Sequence, residues 1–151
     1  MNLWPQAERW LYRLEEIHPS LARAALSYAS LGKVKVRLWE DRRIWLELPR
    51  AESVGEVLTA AETAAFLLWR RHESEQDLRV LEARIQNDIP LENPLWIRYE
   101  VSETERENIR LQALKTGADV FSAQLWILTP EGIRKGVVEL GMQLTKGRYL
   151  P

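Results

Sequence analysis

The stretch that decides the fold runs from residue 120 to residue 145. It reads Val120-Phe-Ser-Ala-Gln-Leu-Trp-Ile-Leu128, then Thr129-Pro-Glu-Gly132, then Ile133-Arg-Lys-Gly-Val-Val-Glu-Leu-Gly-Met-Gln-Leu-Thr145. In the first part Phe121, Ala123, Leu125 and Ile127 alternate with other residues, the period of a strand. The last part fits two periods. Ile133, Val137, Leu140 and Leu144 suit a helix, while Val138, Leu140, Met142 and Leu144 suit a strand. Gly132, Gly136 and Gly141 decide for the strand, because three glycines within one helix would cost about 1 kcal/mol each relative to alanine. Thr129-Pro-Glu-Gly132 makes a good β-turn, with Pro second and Gly fourth. Residues 120–128 and 137–145 are therefore expected to form a hairpin.

Upstream of this hairpin, Ser102-Glu-Thr-Glu105 is a capping box, opening a helix that Gly117 closes. Leu95, Ile97, Tyr99 and Val101 alternate with Trp96, Arg98 and Glu100 to give another strand, after a loop at 89–94 holding two prolines. Residues 53–88 look helical, but unbroken they would span roughly 54 Å, too long for a compact domain of this size. Ser74 resembles a helix start, so the spacing predicts helices over 53–71 and 75–87.

Lys33–Trp39 and Ile44–Leu48 alternate as strands. A three-residue connection, Asp41-Arg42-Arg43, would set Leu38 opposite Leu46, Trp39 opposite Trp45 and Arg37 opposite Glu47. A two-residue turn would set Leu38 against Trp45 and mix the faces, so the longer loop is favoured. Helices at 5–17, with Pro5 in the first turn, and at 20–31 complete the chain. The expectation is one α+β domain over 1–151. An N-terminal helical pair at 5–31 precedes a mostly antiparallel sheet of four to five strands, whose aliphatic face packs on helices.

The chain has 151 residues, 22 acidic and 21 basic side chains and no cysteine. Its net charge of −1 argues against a protein built around phosphate neutralisation. Without cysteine there are no disulfides, Fe–S clusters, thiolate-bound zinc or thiol nucleophiles. No apolar run approaches the roughly 20 residues of a membrane span. The polar start Met1–Arg9 lacks the features of a secretory signal, so the cytoplasm is the expected compartment.

Seven tryptophans stand out, and their placement matters more than their number. Trp39, Trp45, Trp96 and Trp126 each take the parity opposite to the aliphatic residues of their strand, beside Arg37 and Arg98. One sheet face is thus expected to combine indoles with arginines. Either a helix covers it and the indoles are core, or it is an interaction surface, since Trp and Arg are enriched at hot spots. Such a face resembles a stacking platform for single-stranded nucleic acid. Glu47 and Glu100 interrupt its positive field, which favours a protein partner or a second copy of the chain.

Signals for catalysis are sparse. His18 precedes Pro19 at a helix end and His72 lies in a polar run, neither with a second ligand at a useful spacing. No His-Glu-x-x-His, P-loop, Gly-x-Gly-x-x-Gly or Gly-x-Ser-x-Gly occurs, so no metal or nucleotide cofactor is expected. Glu40, Asp41, Glu47 and Glu100 could gather Mg²⁺ on the strands, or pair with Arg37, Arg43 and Arg98. The element order resembles the core of PD-(D/E)xK nucleases, which implies metal-dependent cleavage through Glu47 and Glu100. The acid-x-Lys signature of that family is missing: Leu48 and Pro49 follow Glu47, and Val101 and Ser102 follow Glu100. The sequence thus points to a non-enzymatic intracellular protein–protein interaction module. Its expected site is Trp39, Trp45, Trp96, Trp126, Arg37 and Arg98, with a single-stranded nucleic-acid binder and then a metal-dependent nuclease as alternatives.

Overall fold

The structure, a computed structural model, describes residues 34–70, 76–86, 91 and 94–146. The helical pair expected at 5–31, His18, His72 and the helix start at Ser74 lie outside the described residues. Within them the order is β1 (Lys35–Trp39), β2 (Arg43–Leu48), α1 (Val54–Arg70), β3 (Gln76–Gln86), β4 (Leu95–Glu100), α2 (Glu103–Thr116), β5 (Ala118–Leu128) and β6 (Arg134–Lys146). The strands form one sheet in the order β1-β2-β4-β5-β6-β3, every neighbouring pair antiparallel. The fold is α+β, as expected, but with six strands among the described residues rather than four to five.

One parity of the strands builds the core. Ile44, Leu46, Leu48, Leu95, Ile97, Leu125, Ile127, Leu140, Met142 and Leu144 are all at most 2 % exposed. Burying a side chain of this size contributes roughly 1.5–3 kcal/mol. Helix α1 lies on this face through Val57, Ala60, Ala61, Ala64, Ala65 and Leu68. Its four alanines let the helix backbone approach the sheet closely, and Ser53 caps its start, accepting from the Glu56 amide at 3.3 Å. Trp69 closes the far end, donating from Nε1 to the Tyr99 hydroxyl at 3.0 Å and stacking at 4.9 Å on Phe121. The second helix, α2, starts and stops where the capping residues predict. Ser102 Oγ accepts from the Glu105 amide at 3.1 Å, and Gly117 takes φ 89° with its amide bonded to the Ala113 carbonyl.

The β5–β6 hairpin confirms the argument from glycine. Thr129 O accepts from the Gly132 amide at 2.9 Å, and Gly132 sits at φ 87°, which L side chains rarely adopt. Strand β6 then pairs with β5 on one side and β3 on the other.

Two expectations fail, each at a bulge. Within the stretch expected as a helix over 75–87, Gln76–Gln86 form a strand, and β3 carries an extra residue between Val80 and Glu82. Leu78 and Val80 face the core before it, Ala83 and Ile85 after it, and Leu81 is 56 % exposed. The inserted residue gives Leu78, Leu81 and Ile85 the i, i+3, i+7 spacing of a helix. Gly141 stands opposite this bulge, and any Cβ there would lie 3.5 Å from the Glu82 Cβ. In the first hairpin the connection has two residues, not three. Trp39 pairs with Ile44, Leu38 with Trp45, and the Glu40 amide donates to the Arg43 carbonyl at 2.9 Å. A bulge at Arg37, between Val36 and Leu38, keeps Val36 and Trp39 both on the core face, so the shorter turn does not mix the faces.

Candidate functional site

The outer face of the sheet takes shape from the strand registers. Leu38, Trp45, Arg98 and Trp126 stand opposite one another across β1, β2, β4 and β5. Glu47, Trp96 and Leu128 form the next row. The structure thus brings Trp45, Trp96, Trp126 and Arg98 together. Trp45 and Trp96 lie 6.3 Å apart with rings tilted by 54°. Trp39 does not join them: the Arg37 bulge turns it into the core, where it is 6 % exposed and donates from Nε1 to the Leu67 carbonyl at 3.3 Å. Arg37 donates from Nε to Glu47 Oε2 at 2.6 Å, which ties it to this face.

The protein's own guanidiniums lie over these indoles. Arg134 sits 3.5 Å from the Trp126 ring centre, and Arg98 and Arg43 sit 5.1 and 5.9 Å from that of Trp45. The ring N–H groups of Trp45 and Trp96 are inaccessible to solvent and have no hydrogen-bond partner among the described residues. The strand-borne acids are also engaged. Glu40 holds Arg43 at 2.6 Å, Glu100 holds Arg98 at 2.7 Å and Glu47 holds Arg37. Among the described residues no three His, Asp or Glu side chains gather where a metal ion could bind, so the acids form arginine pairs rather than a Mg²⁺ cluster.

A different group of residues lies along the first helix. Along α1, Gly55, Thr59, Glu62 and Phe66 follow at spacings of four, three and four, a stripe on the side opposite the alanines. Glu62, Thr63 and Phe66 are half-buried there. The neighbouring Glu56 serves the cap, accepting from the Glu52 amide at 2.9 Å. Thr59 donates to the Gly55 carbonyl at 2.9 Å and Thr63 to the Thr59 carbonyl at 2.8 Å, which holds both hydroxyls against the helix. Glu62 has no hydrogen bond or ion pair with any described residue, and no basic residue lies three or four positions from it. Gly55 sits in the first turn, where amides lack intrahelical acceptors. About 10 Å of helix axis separates it from Glu62, and glutamate side chains lean toward the N-terminus. The sequence reading passed over Glu62. The available signal was an acid on the polar stripe of an alanine-rich helix without a basic neighbour.

No protein-family profile and no curated protein sequence matches the chain. Solved structures do. A Pseudomonas aeruginosa protein of unknown function, described as a probable thioesterase, superposes with a TM-score of 0.74 at 16 % identity, over 84 % of this chain and 95 % of that one. A protein of unknown function from Chlorobaculum tepidum gives 0.65 at 15 % identity, over 94 % and 96 %. A Haemophilus influenzae thioesterase gives 0.57 at 14 % identity, over 80 % and 82 %. At these identities the likeness concerns the fold: a central helix against a curled antiparallel sheet, the hotdog arrangement of thioesterases. It overturns the expectations of a non-enzymatic protein–protein interaction module, a single-stranded nucleic-acid binder and a nuclease, since the structures sharing the architecture include named thioesterases. Among the described residues no helix is long and apolar enough to cross a membrane.

Proposed function

We propose that the chain is a hydrolase of the thioesterase type, cleaving acyl thioesters with Glu62 as general base. The observation that supports this reading is the half-buried Glu62 carboxylate, without a partner among the described residues, on the side of α1 opposite the alanines, in a fold shared with thioesterases. In the reaction a water molecule gives its proton to Glu62 and its oxygen attacks the thioester carbonyl carbon. The negative charge that develops on the carbonyl oxygen faces the amide of Gly55, where the helix dipole also favours it. The tetrahedral adduct then collapses and the C–S bond breaks. The leaving thiolate takes the proton back from Glu62, so that one thioester and one water yield one carboxylic acid and one thiol. Gly55 suits this role because it adds no side chain of its own beside the amide, and a Cβ there would lie 3.7 Å from Ser53 Oγ.

The test is release of free thiol from a panel of short-, medium- and long-chain acyl thioesters. Glu62→Gln is expected to lower kcat at least about a hundredfold, the usual contribution of a positioned base, with no fall in Tm. A wild-type protein inactive on the whole panel, or a Glu62→Gln variant as active as wild type, overturns the reading. Gly55→Ala probes the second group. Alanine is the better helix former, so Tm should hold or rise while kcat falls.

A further inference from the structure

We infer that residues 1–33 of this chain dock along the inner flank of β1 and across Phe66 of α1, as an apolar cover beside the candidate site. The inference is independent of the proposed reaction and starts from burial that the described elements do not explain. β1 is the outermost strand, yet Val34 just before it, and Val36 and Trp39 within it, are at most 6 % exposed. Helix α1 packs mainly against β2, β4, β6 and β3, and α2 against β5 and β6. Trp39 reaches α1 through its bond to the Leu67 carbonyl, but Val34 and Val36 lie further back along the chain. Phe66 repeats the pattern. It stands on the side of α1 opposite the alanines, where a helix lying on a sheet faces water, and it is nevertheless half-buried. Glu62 and Thr63 are half-buried with it, whereas Gly55 and Thr59, earlier on the same side, are exposed. The cover therefore lies over the second half of α1 and leaves the Gly55 end open.

The first 33 residues fit this place by attachment, reach and chemistry. They join the described chain at Val34, on the flank that is covered. From Val34 to Trp39 the strand advances about 17 Å, and a helix over 5–17 would be about 20 Å long, enough to pass from one end of β1 to the level of Phe66. Trp10, Leu14 and Ile17 recur at spacings of four and three, an apolar stripe, while Glu8 and Glu15 fall on the opposite side. In the following stretch Ala25 and Ala29 allow a close approach to β1. The outer face of the sheet is the poorer match. There Arg37, Arg43 and Arg98 keep 44, 45 and 41 % of their side-chain surface in solvent, so what lies over Trp45 is the protein's own guanidiniums.

Because the chain has no cysteine, introduced thiols test this in the full-length protein without background. Phe66→Cys is combined in turn with Trp10→Cys, Leu14→Cys and Ile17→Cys, and each pair is oxidised under mild conditions. A disulfide forms where Cα atoms come within about 7 Å, so at least one of these pairs should close at least about tenfold faster than Phe66→Cys combined with Glu8→Cys or Glu15→Cys. Failure of all three pairs overturns the inference, and so does faster closure of Leu14→Cys with Leu38→Cys on the outer face. A second measurement needs no cross-link. In single variants of the native protein, the thiol of Phe66→Cys should react with a soluble alkylating reagent at least about tenfold more slowly than that of Thr59→Cys, with the fully buried Ala64→Cys as the protected limit. Equal rates at positions 66 and 59 overturn the inference. Whether Glu62→Gln loses thioester hydrolysis changes none of these outcomes, so the two proposals fail separately.

Discussion

At the scale of single residues, the contact between Trp69 and Tyr99 has the clearest consequence. Tyr99 is 3 % exposed and accepts the Trp69 indole N–H at 3.0 Å. Burial pushes its hydroxyl well above the ordinary tyrosine value of 10.0, outweighing the Trp69 hydrogen bond, which favours the phenolate. The native state therefore holds this proton more tightly than the unfolded chain does. The stabilisation is complete below pH 10 and is lost as pH rises beyond it. The chain has four tyrosines, and in an alkaline absorbance titration Tyr99 should ionise only as the protein unfolds. Tyr99→Phe should remove that late step. It should also leave the Trp69 N–H without its acceptor, lowering stability by roughly 1–3 kcal/mol in a denaturant melt. Ionisation of every tyrosine near the ordinary value, with the native circular dichroism retained, would contradict this account.

At the scale of elements, the two faces of α1 should respond to substitution in opposite ways. Ala64 is fully buried against the sheet, where a larger side chain has no room. Ala64→Leu should cost roughly 1–3 kcal/mol through overpacking. Thr59→Leu, on the exposed face, should leave the thermal midpoint within a few degrees of wild type, since surface changes usually stay within about 0.5 kcal/mol. The turn between β5 and β6 offers a backbone test: Gly132 sits at φ 87°, so Gly132→Ala should cost roughly 1–2 kcal/mol. The elements that could be read locally were those with their own punctuation. Ser102 and Gly117 bracket α2, and Thr129–Gly132 turns the last hairpin. The ones misread were β1 and β3, each carrying an inserted residue. One extra position in a period-2 pattern imitates a longer loop in the first case and a helix in the second.

At the scale of the whole molecule, the sheet separates two kinds of surface. Its inner face holds α1 on an aliphatic core, and its outer face carries Trp45, Trp96 and Trp126 beneath Arg43, Arg98 and Arg134. Alternation along single strands was enough to establish the α+β class, the antiparallel last hairpin and the parity of Trp45, Trp96 and Trp126, because side-chain direction in a strand depends only on position within it. Capping chemistry settled α2 for the same local reason. Three things were decided by tertiary structure alone. Which residue a bulge inserts depends on the neighbouring strand, so Trp39 faces the core, held by the Leu67 carbonyl, although its parity in the sequence assigns it outward. Which acids are engaged depends on arginines brought alongside by folding: Glu47, Glu40 and Glu100 are each paired, while Glu62 has no partner among the described residues. Which strand lies at the edge depends on the order in which the sheet assembles, and that order leaves β3 at its end, next to β6. Pairing between segments distant in the chain is a property of their joint packing, and no periodicity within either segment records it.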